Sequence, residues 1–168
     1  TAAEAAGSLR RRCDTVGDID LLVSTRDPER VMRALPEVAS VAATVSEGHT
    51  KATLRLADGM NVDVRVVPPE AFGAALHYFT GSKTHHIALR TRAARMGIKL
   101  NEYGVFDRAD RRIGGAREED VFNAVGLPFI PPELRVCTGE LDAAASGKLP
   151  RLIEEAWARS VIVFSDVL

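Results

Sequence analysis

Three carboxylates raise the question of chemistry. Asp18 and Asp20 stand two apart in Gly17-Asp18-Ile19-Asp20-Leu21-Leu22-Val23, and Asp63 sits in Val62-Asp63-Val64-Arg65-Val66-Val67. Residues two apart on a strand share a face, so Asp18 and Asp20 project together from an otherwise apolar run. If the strand of Asp63 lies alongside, three acidic groups meet, repel one another and raise one another's pKa. Divalent cations bound by carboxylate oxygens relieve that repulsion, and a pair of Mg²⁺ ions about 3.5 to 4 Å apart is a device for in-line phosphoryl transfer. The spacing predicts a two-metal nucleotidyl-transfer site, with Asp18, Asp20 and Asp63 as catalytic metal ligands.

Upstream lies Gly7-Ser8-Leu9-Arg10-Arg11-Arg12. A small-residue turn that opens a helix presents unpaired backbone N–H groups, which bind phosphate. Ser8 adds a hydroxyl and Arg11 a forked guanidinium. Such a turn is a weak signal alone. Followed so soon by Gly-Asp-x-Asp, it reads as a triphosphate cradle beside its metal ligands.

These groups need elements to hold them. Ala2 to Ala6 reads as the end of a strand, Ser8 to Arg12 as a short helix and Gly17 to Ser24 as a central strand. Asp27-Pro28-Glu29 has the marks of a helix start, with Asp27 as cap, and the helix should run to about Leu35, burying Val31, Met32 and Leu35. Val38 to Ser46, His49 to Leu56 and Met60 to Val67 alternate or are rich in β-branched residues, and Asp58-Gly59 is a hairpin turn. That hairpin delivers Asp63 to the face of Asp18 and Asp20; a slip of one residue would turn the carboxylate into the core. Arg65, on the same strand face, either orients Asp63, pairs with an acid or makes an ordinary surface ion pair.

After Pro68-Pro69, Glu70 to Thr80 reads as a helix with Phe72, Ala75, Leu76 and Phe79 on one face. Gly81-Ser82 breaks it, and a second helix from about Thr84 to Met96 ends at Gly97. Leu100 to Arg108 predicts a short strand pair, joined by Arg111 to Ile113. Glu118 to Val125 reads as a helix stopped by Gly126, and Leu127 to Pro132 as an extended segment. Glu140 to Ser146 and Leu149 to Arg159 are helical in pattern. Between Ala71 and Asn101 there is no acidic residue, while Lys83, Arg90, Arg92, Arg95 and Lys99 are basic and His85 and His86 lie among them. The stretch is either a solvated helix face or a phosphate-facing stripe. Adjacent helical residues diverge by about 100°, so His85 and His86 fit surface exposure or base contact better than a shared metal ion.

The 168 residues, 46% hydrophobic, suffice for one domain or two small subdomains with a core. A net charge of −1 excludes a globally basic nucleic-acid binder and confines any DNA contact to local patches. Cys13 and Cys137 have neither metal-ligand spacing nor the density of a disulfide framework, which points to a reduced cytoplasm. No apolar stretch approaches a membrane span and the amino terminus lacks a signal pattern, so a soluble intracellular protein is expected.

Gly7-Ser8-x-Arg10-Arg11 through Thr15-x-Gly17-Asp18-Ile19-Asp20, then Val62-Asp63-Val64-Arg65, Tyr78-Phe79-Thr80-Gly81-Ser82-Lys83 and Lys99-Leu100-Asn101-Glu102-Tyr103-Gly104, resemble the palm and thumb of family X DNA polymerases, the DNA polymerase beta group. The likeness is greatest to the bacterial and archaeal type, whose core precedes a polymerase-and-histidinol-phosphatase (PHP) nuclease domain. The resemblance implies an α/β (α+β) fold. Residues 1–76 would form a nucleotidyltransferase palm, a mixed β-sheet of about five strands with helices on one face. Residues 77–135 would form a small α/β thumb and 136–168 a linker-like helical tail.

Roles follow from the same resemblance. Ser8, Arg11 and Gly17 would hold the β and γ phosphates of a deoxynucleoside triphosphate, and Tyr78, Phe79 and Gly81 would wall its sugar pocket. Read without the family, Tyr78 and Phe79 are ordinary core aromatics at a helix end. His86 stands where the family usually has asparagine, facing the nascent base pair, and can still donate one hydrogen bond. Lys83, Arg90, Arg92, Arg95, Lys99, Asn101, Glu102 and Tyr103 would grip primer-template or gapped DNA. Two Mg²⁺ or Mn²⁺ ions are the implied cofactors. The expected activity is that of a DNA-directed DNA polymerase core adding deoxynucleotides to a primer 3′-hydroxyl in gap-filling repair. The alternatives are a template-independent nucleotidyltransferase and an inactive palm-thumb fragment. The chain starts close to the Gly-Ser motif, without the family's lyase-like domain and fingers, so weak DNA affinity is expected. Ala158 to Leu168 does not resemble the start of the nuclease, and oligomeric state stays open, with an exposed sheet edge favouring dimerisation.

Overall fold

Val62, Val64 and Val66 are buried and alternate with the half-exposed Asn61, Asp63 and Arg65, a period of two that makes Asn61–Val67 a strand with one sealed face. This is β5 in the computed structural model, which describes residues 2–152. It pairs in parallel with β2 (Asp18–Ser24) and antiparallel with β4 (Lys51–Leu56). With β1 (Ala2–Ala5) and β3 (Val41–Glu47) they form a mixed five-stranded sheet in the order β1-β2-β5-β4-β3. The Asp58-Gly59 turn is the expected hairpin: Gly59 takes φ +89°, and Asp58 Oδ1 accepts the Met60 amide at 3.0 Å.

Helices flank both faces of this sheet, an addition to the expected single covered face. The helix α2 (Pro28–Ala34), capped by Asp27 accepting the Arg30 amide, covers the side where Met32 meets Val23, Val62, Val64 and Val66. On the other side α1 (Gly7–Arg10) and α3 (Phe72–Thr80) close only one end, where Ala75 and Leu76 pack on Leu22 with Phe72 and Phe79 beside them. The polar stretch of β2 and β5 is left open.

Boundary differences have local causes. Pro36 constrains Leu35, and the chain beyond Ala34 tightens into a 3₁₀ turn over Leu35–Glu37. The Val41 amide bonds to Val38, so β3 starts later than Val38. The Gly48 amide likewise bonds to Lys51, closing a turn across His49. Arg12 takes φ +53°, which cannot continue the short first helix.

The second half builds its own core. In α4 (Lys83–Arg95), Leu89 and Ala93 face Leu100 of β6 (Lys99–Asn101), Val105 of β7 (Gly104–Phe106) and Phe122 of α5 (Glu118–Ala124). A third short strand, β8 (Arg112–Gly114), completes an antiparallel sheet in the order β6-β7-β8. Ala144 of α6 (Glu140–Ala145) is buried in the same core, so the beginning of the expected tail packs on the thumb side. Of the helix expected over 149–159, residues 149–152 are not helical; the rest lies outside the described residues, as does 158–168.

Two contacts weld the halves. The Gly73 and Ala74 amides bond to the Ala116 and Gly115 carbonyls, and a Cβ on Gly73 would lie 2.0 Å from the Arg117 backbone. Glu118, buried, receives Arg10 through two bonds of 2.8 and 2.7 Å and Arg135 through one of 2.6 Å. Burial, the largest influence, pushes the Glu118 carboxyl up; the two guanidiniums outweigh it and leave its pKa below the ordinary value. Its stabilisation is therefore present at neutral pH and lost as pH falls through the depressed pKa. Replacing Glu118 with Ala strands two cations, at a cost of about 3 kcal/mol in urea unfolding at pH 7; a loss under about 1 kcal/mol would contradict the coupling.

Candidate active site

The parallel register of β2 and β5 sets Asp20 directly opposite Asp63, with Asp18 opposite Asn61 one step along the same face. Asp20 and Asp63 are half-exposed and line one cleft with Arg65 and Phe79, whereas Asp18 is exposed and is not part of its lining. Among the described residues no three His, Cys, Asp or Glu side chains already form a metal-holding group. Two carboxylates are thus side by side with a third nearby. Partial burial, and then the charges of Asp18 and Asp63, raise the pKa of Asp20 above its ordinary value; Arg11 and Arg65 pull it down. The site carries more negative charge than its own cations balance.

The turn before β2 is fitted to Asp20. The Ala6 amide donates to the Asp20 carbonyl at 2.8 Å, Gly7 takes φ +59°, and a Cβ there would lie 1.9 Å from Asp20 Oδ2. Only glycine lets the turn reach the carboxylate. Ser8 is half-buried beside it, and the Arg11 guanidinium donates to the Thr80 carbonyl. Gly17 is exposed, with open space where a Cβ would stand, so the fold imposes no steric demand for glycine there.

Across the cleft, Tyr78 and Phe79 meet edge to face at 5.1 Å between ring centres, both half-buried at the end of α3. Arg65 lies 5.0 Å over the Phe79 ring and makes no ion pair among the described residues. Gly81 takes φ +70° and its bond to Ser82 is cis. The Ser82 hydroxyl accepts the His85 amide and caps α4.

Of the two alternatives to a shared metal ion left open for His85 and His86, surface exposure is corrected: both are buried. His85 Nδ1 is bonded to Glu140 Oε1 at 2.6 Å, a partner 55 residues away that the local pattern could not reveal. His86 packs its ring edge against Tyr78 at 4.7 Å, and neither ring nitrogen has a partner among the described residues. Burial first, then Arg90 and His85, push the His86 pKa down to about 4, so the ring is neutral near pH 7.

The basic segment divides. Lys83 and Arg90 are exposed and, seven residues apart, share a face of α4 to within about 20°. Arg92 turns instead to the Val125 carbonyl at the end of α5, 2.9 Å away. Arg95 is exposed elsewhere on the helix, and Lys99 pairs with Asp110 at 2.8 Å. Asn101 Oδ1 accepts the Tyr103 and Gly104 amides and so builds the β6–β7 turn, with Glu102 half-buried and Tyr103 exposed at its tip. Sequence reading missed Arg10 and Glu118, and also Thr53, whose hydroxyl donates to Asp63 Oδ1 at 2.5 Å. Thr53 had a usable signal, since it falls on the polar face of the hairpin partner of Asp63.

With this geometry in place, comparison sets the chain among relatives that are named DNA polymerases. Residues 75–136 match the DNA polymerase beta thumb family. The chain is 39% identical over 140 residues to the DNA polymerase/3'-5' exonuclease PolX of Bacillus subtilis, covering 82% of this chain and 25% of the relative. It is 38% identical over 78 residues to human DNA-directed DNA/RNA polymerase mu, covering 45% of this chain and 16% of that protein. With rat DNA polymerase lambda it shares 27% identity over 160 residues, 78% of this chain and 28% of that one. The fold matches a crystal structure of Leishmania infantum polymerase beta in a ternary P/T complex with a TM-score of 0.68 and 24% identity, covering 80% of this chain and 67% of that one. The chain belongs to family X, the DNA polymerase beta group, and spans about a quarter of the length of its Bacillus relative.

The raised pKa of Asp20 has a stability consequence. A carboxyl whose folded pKa lies above its unfolded value favours folding below the ordinary value of 3.8, and that contribution is lost as pH rises through the folded pKa. Asp20→Asn should therefore raise the melting temperature at pH 7, and the gain should vanish on approaching pH 3.8. Thermal melts across that range check it; a variant no more stable at pH 7 would contradict the assigned repulsion.

Proposed function

We propose that this chain is the nucleotidyl-transfer core of a DNA-directed DNA polymerase, adding deoxynucleotides to a primer 3′-hydroxyl in gap-filling repair. The observation that carries the reading is Asp20 opposite Asp63 on an uncovered sheet face, with a glycine turn seated against Asp20. Residues 1–76 act as palm, 77–135 as thumb and 136–168 as the following linker. A cytoplasmic setting belongs to the same reading, in keeping with two free, exposed cysteines. No helix among the described residues is long and apolar enough to cross a membrane.

Divalent-metal dependence is general in this family. The residues fit such ions: oxygen-only donors, two of them in register, with a carboxyl whose pKa is already raised by burial and then by its acidic neighbours. Asp18, Asp20 and Asp63 would hold two Mg²⁺ or Mn²⁺ ions, which would supply charge neutralisation and lower the pKa of the attacking hydroxyl. Ser8, Arg11 and the amides of the Gly7 turn hold the triphosphate, and Gly17 lets the chain pass close to it. Tyr78, Phe79 and Gly81 wall the sugar. His86, neutral and unpartnered, faces the base. Lys83 and Arg90 form the face of α4 turned to template phosphates; Arg95, Lys99, Glu102 and Tyr103 lie further along the DNA, while Arg92 and Asn101 support the elements that carry them.

Asp63→Ala should lower nucleotide incorporation in Mg²⁺ or Mn²⁺ by at least about 10³-fold while leaving triphosphate binding largely intact. Equal loss of both would contradict a separate role for Asp63. The reading as a whole is tested with gapped DNA, Mg²⁺ and each labelled deoxynucleotide in turn. It predicts incorporation of the nucleotide complementary to the template base. Incorporation indifferent to template would make the chain a template-independent transferase, and none with metal and triphosphate bound would make it an inactive palm-thumb fragment.

A further inference from the structure

The pairing of β4 with β5 sets Thr53 opposite Asp63, and that of β5 with β2 sets Asp63 opposite Asp20. Three side chains therefore form a row across three adjacent strands, on the sheet face that α1 and α3 leave open. Thr53 is half-buried and its hydroxyl donates to Asp63 Oδ1 at 2.5 Å. Among the described residues Asp63 Oδ2 accepts no hydrogen bond, and the Asp63 side chain lines the cleft with Asp20. Arg65, the cation nearest in the strand, is engaged over Phe79. Thr53 is thus the group that fixes Asp63 among the described residues.

We propose that Thr53 is a positioning residue for the cation site: by holding Oδ1 on the β4 side, it presents Oδ2 of Asp63 toward Asp20 as a single-oxygen ligand. This rests on the two-metal reading above. A carboxylate at the open end of a sheet face otherwise rotates between two-oxygen and one-oxygen presentation, and beside a second carboxylate it turns away from its neighbour. A hydroxyl donor on the far side opposes that rotation and withdraws charge from the oxygen not needed by the ion, as partners that orient metal ligands do. Threonine suits the task on a strand because its branched β-carbon limits χ1 and its methyl packs against the sheet.

The test is Mn²⁺ titration of the metal-free chain, followed by calorimetry or by the electron paramagnetic signal of free Mn²⁺, on the unsubstituted chain, Thr53→Val and Thr53→Ser. Thr53→Val keeps the shape and removes the donor; it should weaken Mn²⁺ binding about 10-fold, and Thr53→Ser should restore most of it. In primer extension the same substitution should lower kcat and raise the Mg²⁺ concentration for half-maximal rate, with KM for the triphosphate little changed. Mn²⁺ affinity in Thr53→Val equal to or tighter than that of the unsubstituted chain overturns the inference while leaving the two-metal reading in place. Absence of saturable Mn²⁺ binding by the unsubstituted chain overturns both. If Thr53→Val fails to show the native circular dichroism spectrum, the Ser variant decides: affinity lost despite a retained hydroxyl is an outcome against the proposal.

Discussion

The first half of the fold depends on a parallel strand pair that sets Asp20 opposite Asp63. Such a register is costly, because partial burial and then repulsion from the neighbouring carboxylates drive Asp20 toward its protonated form. The fold tolerates the arrangement by sealing the valine face of β5 completely while leaving the acidic face open to water and ions. Hydrophobic burial on one side thus anchors electrostatic discomfort on the other. The glycine turn at Gly7 and the hydroxyl of Thr53 press on the same two carboxylates from either flank.

A second constraint joins this face to the thumb. Arg10 lies one residue before Arg11 and reaches Glu118, while Arg11 reaches the Thr80 carbonyl, so consecutive arginines after the Gly7-Ser8 turn tie it to both α3 and α5. Arg10 also donates to the Thr80 hydroxyl at 2.8 Å. The Gly7-Ser8 turn, the Tyr78-to-Gly81 segment and the core of the second half are consequently one connected framework.

The elements that position the carboxylates were legible because their signals are local. Alternation in Asn61–Val67, the Asp58-Gly59 turn, the Asp27 cap and the Gly97 stop each act over a few residues, and each appears where the sequence places it. What escaped is long-range. A helix containing Lys83, Arg90, Arg92 and Arg95 looks solvated throughout, yet His85 is buried because Glu140 and α6 return to cover it. Arg10 resembled a phosphate ligand's neighbour and proved to be one arm of a buried ion triad. Asn101 was read for DNA, and its Oδ1 has the further task of building its own turn. Sequence periodicity assigns a face, and only tertiary contact assigns the partner.

The central claim is that the β2–β5 register creates a cation site, and a direct measurement is anomalous X-ray scattering from crystals of the chain grown with Mn²⁺ and a non-hydrolysable deoxynucleoside triphosphate. The account predicts two Mn²⁺ peaks in the cleft, both touching Asp20 and at least one touching Asp63, with the triphosphate against the Gly7-Ser8 turn. Manganese found only elsewhere on the surface, or a triphosphate bound away from that turn with the Asp20–Asp63 cleft free of metal, would contradict it.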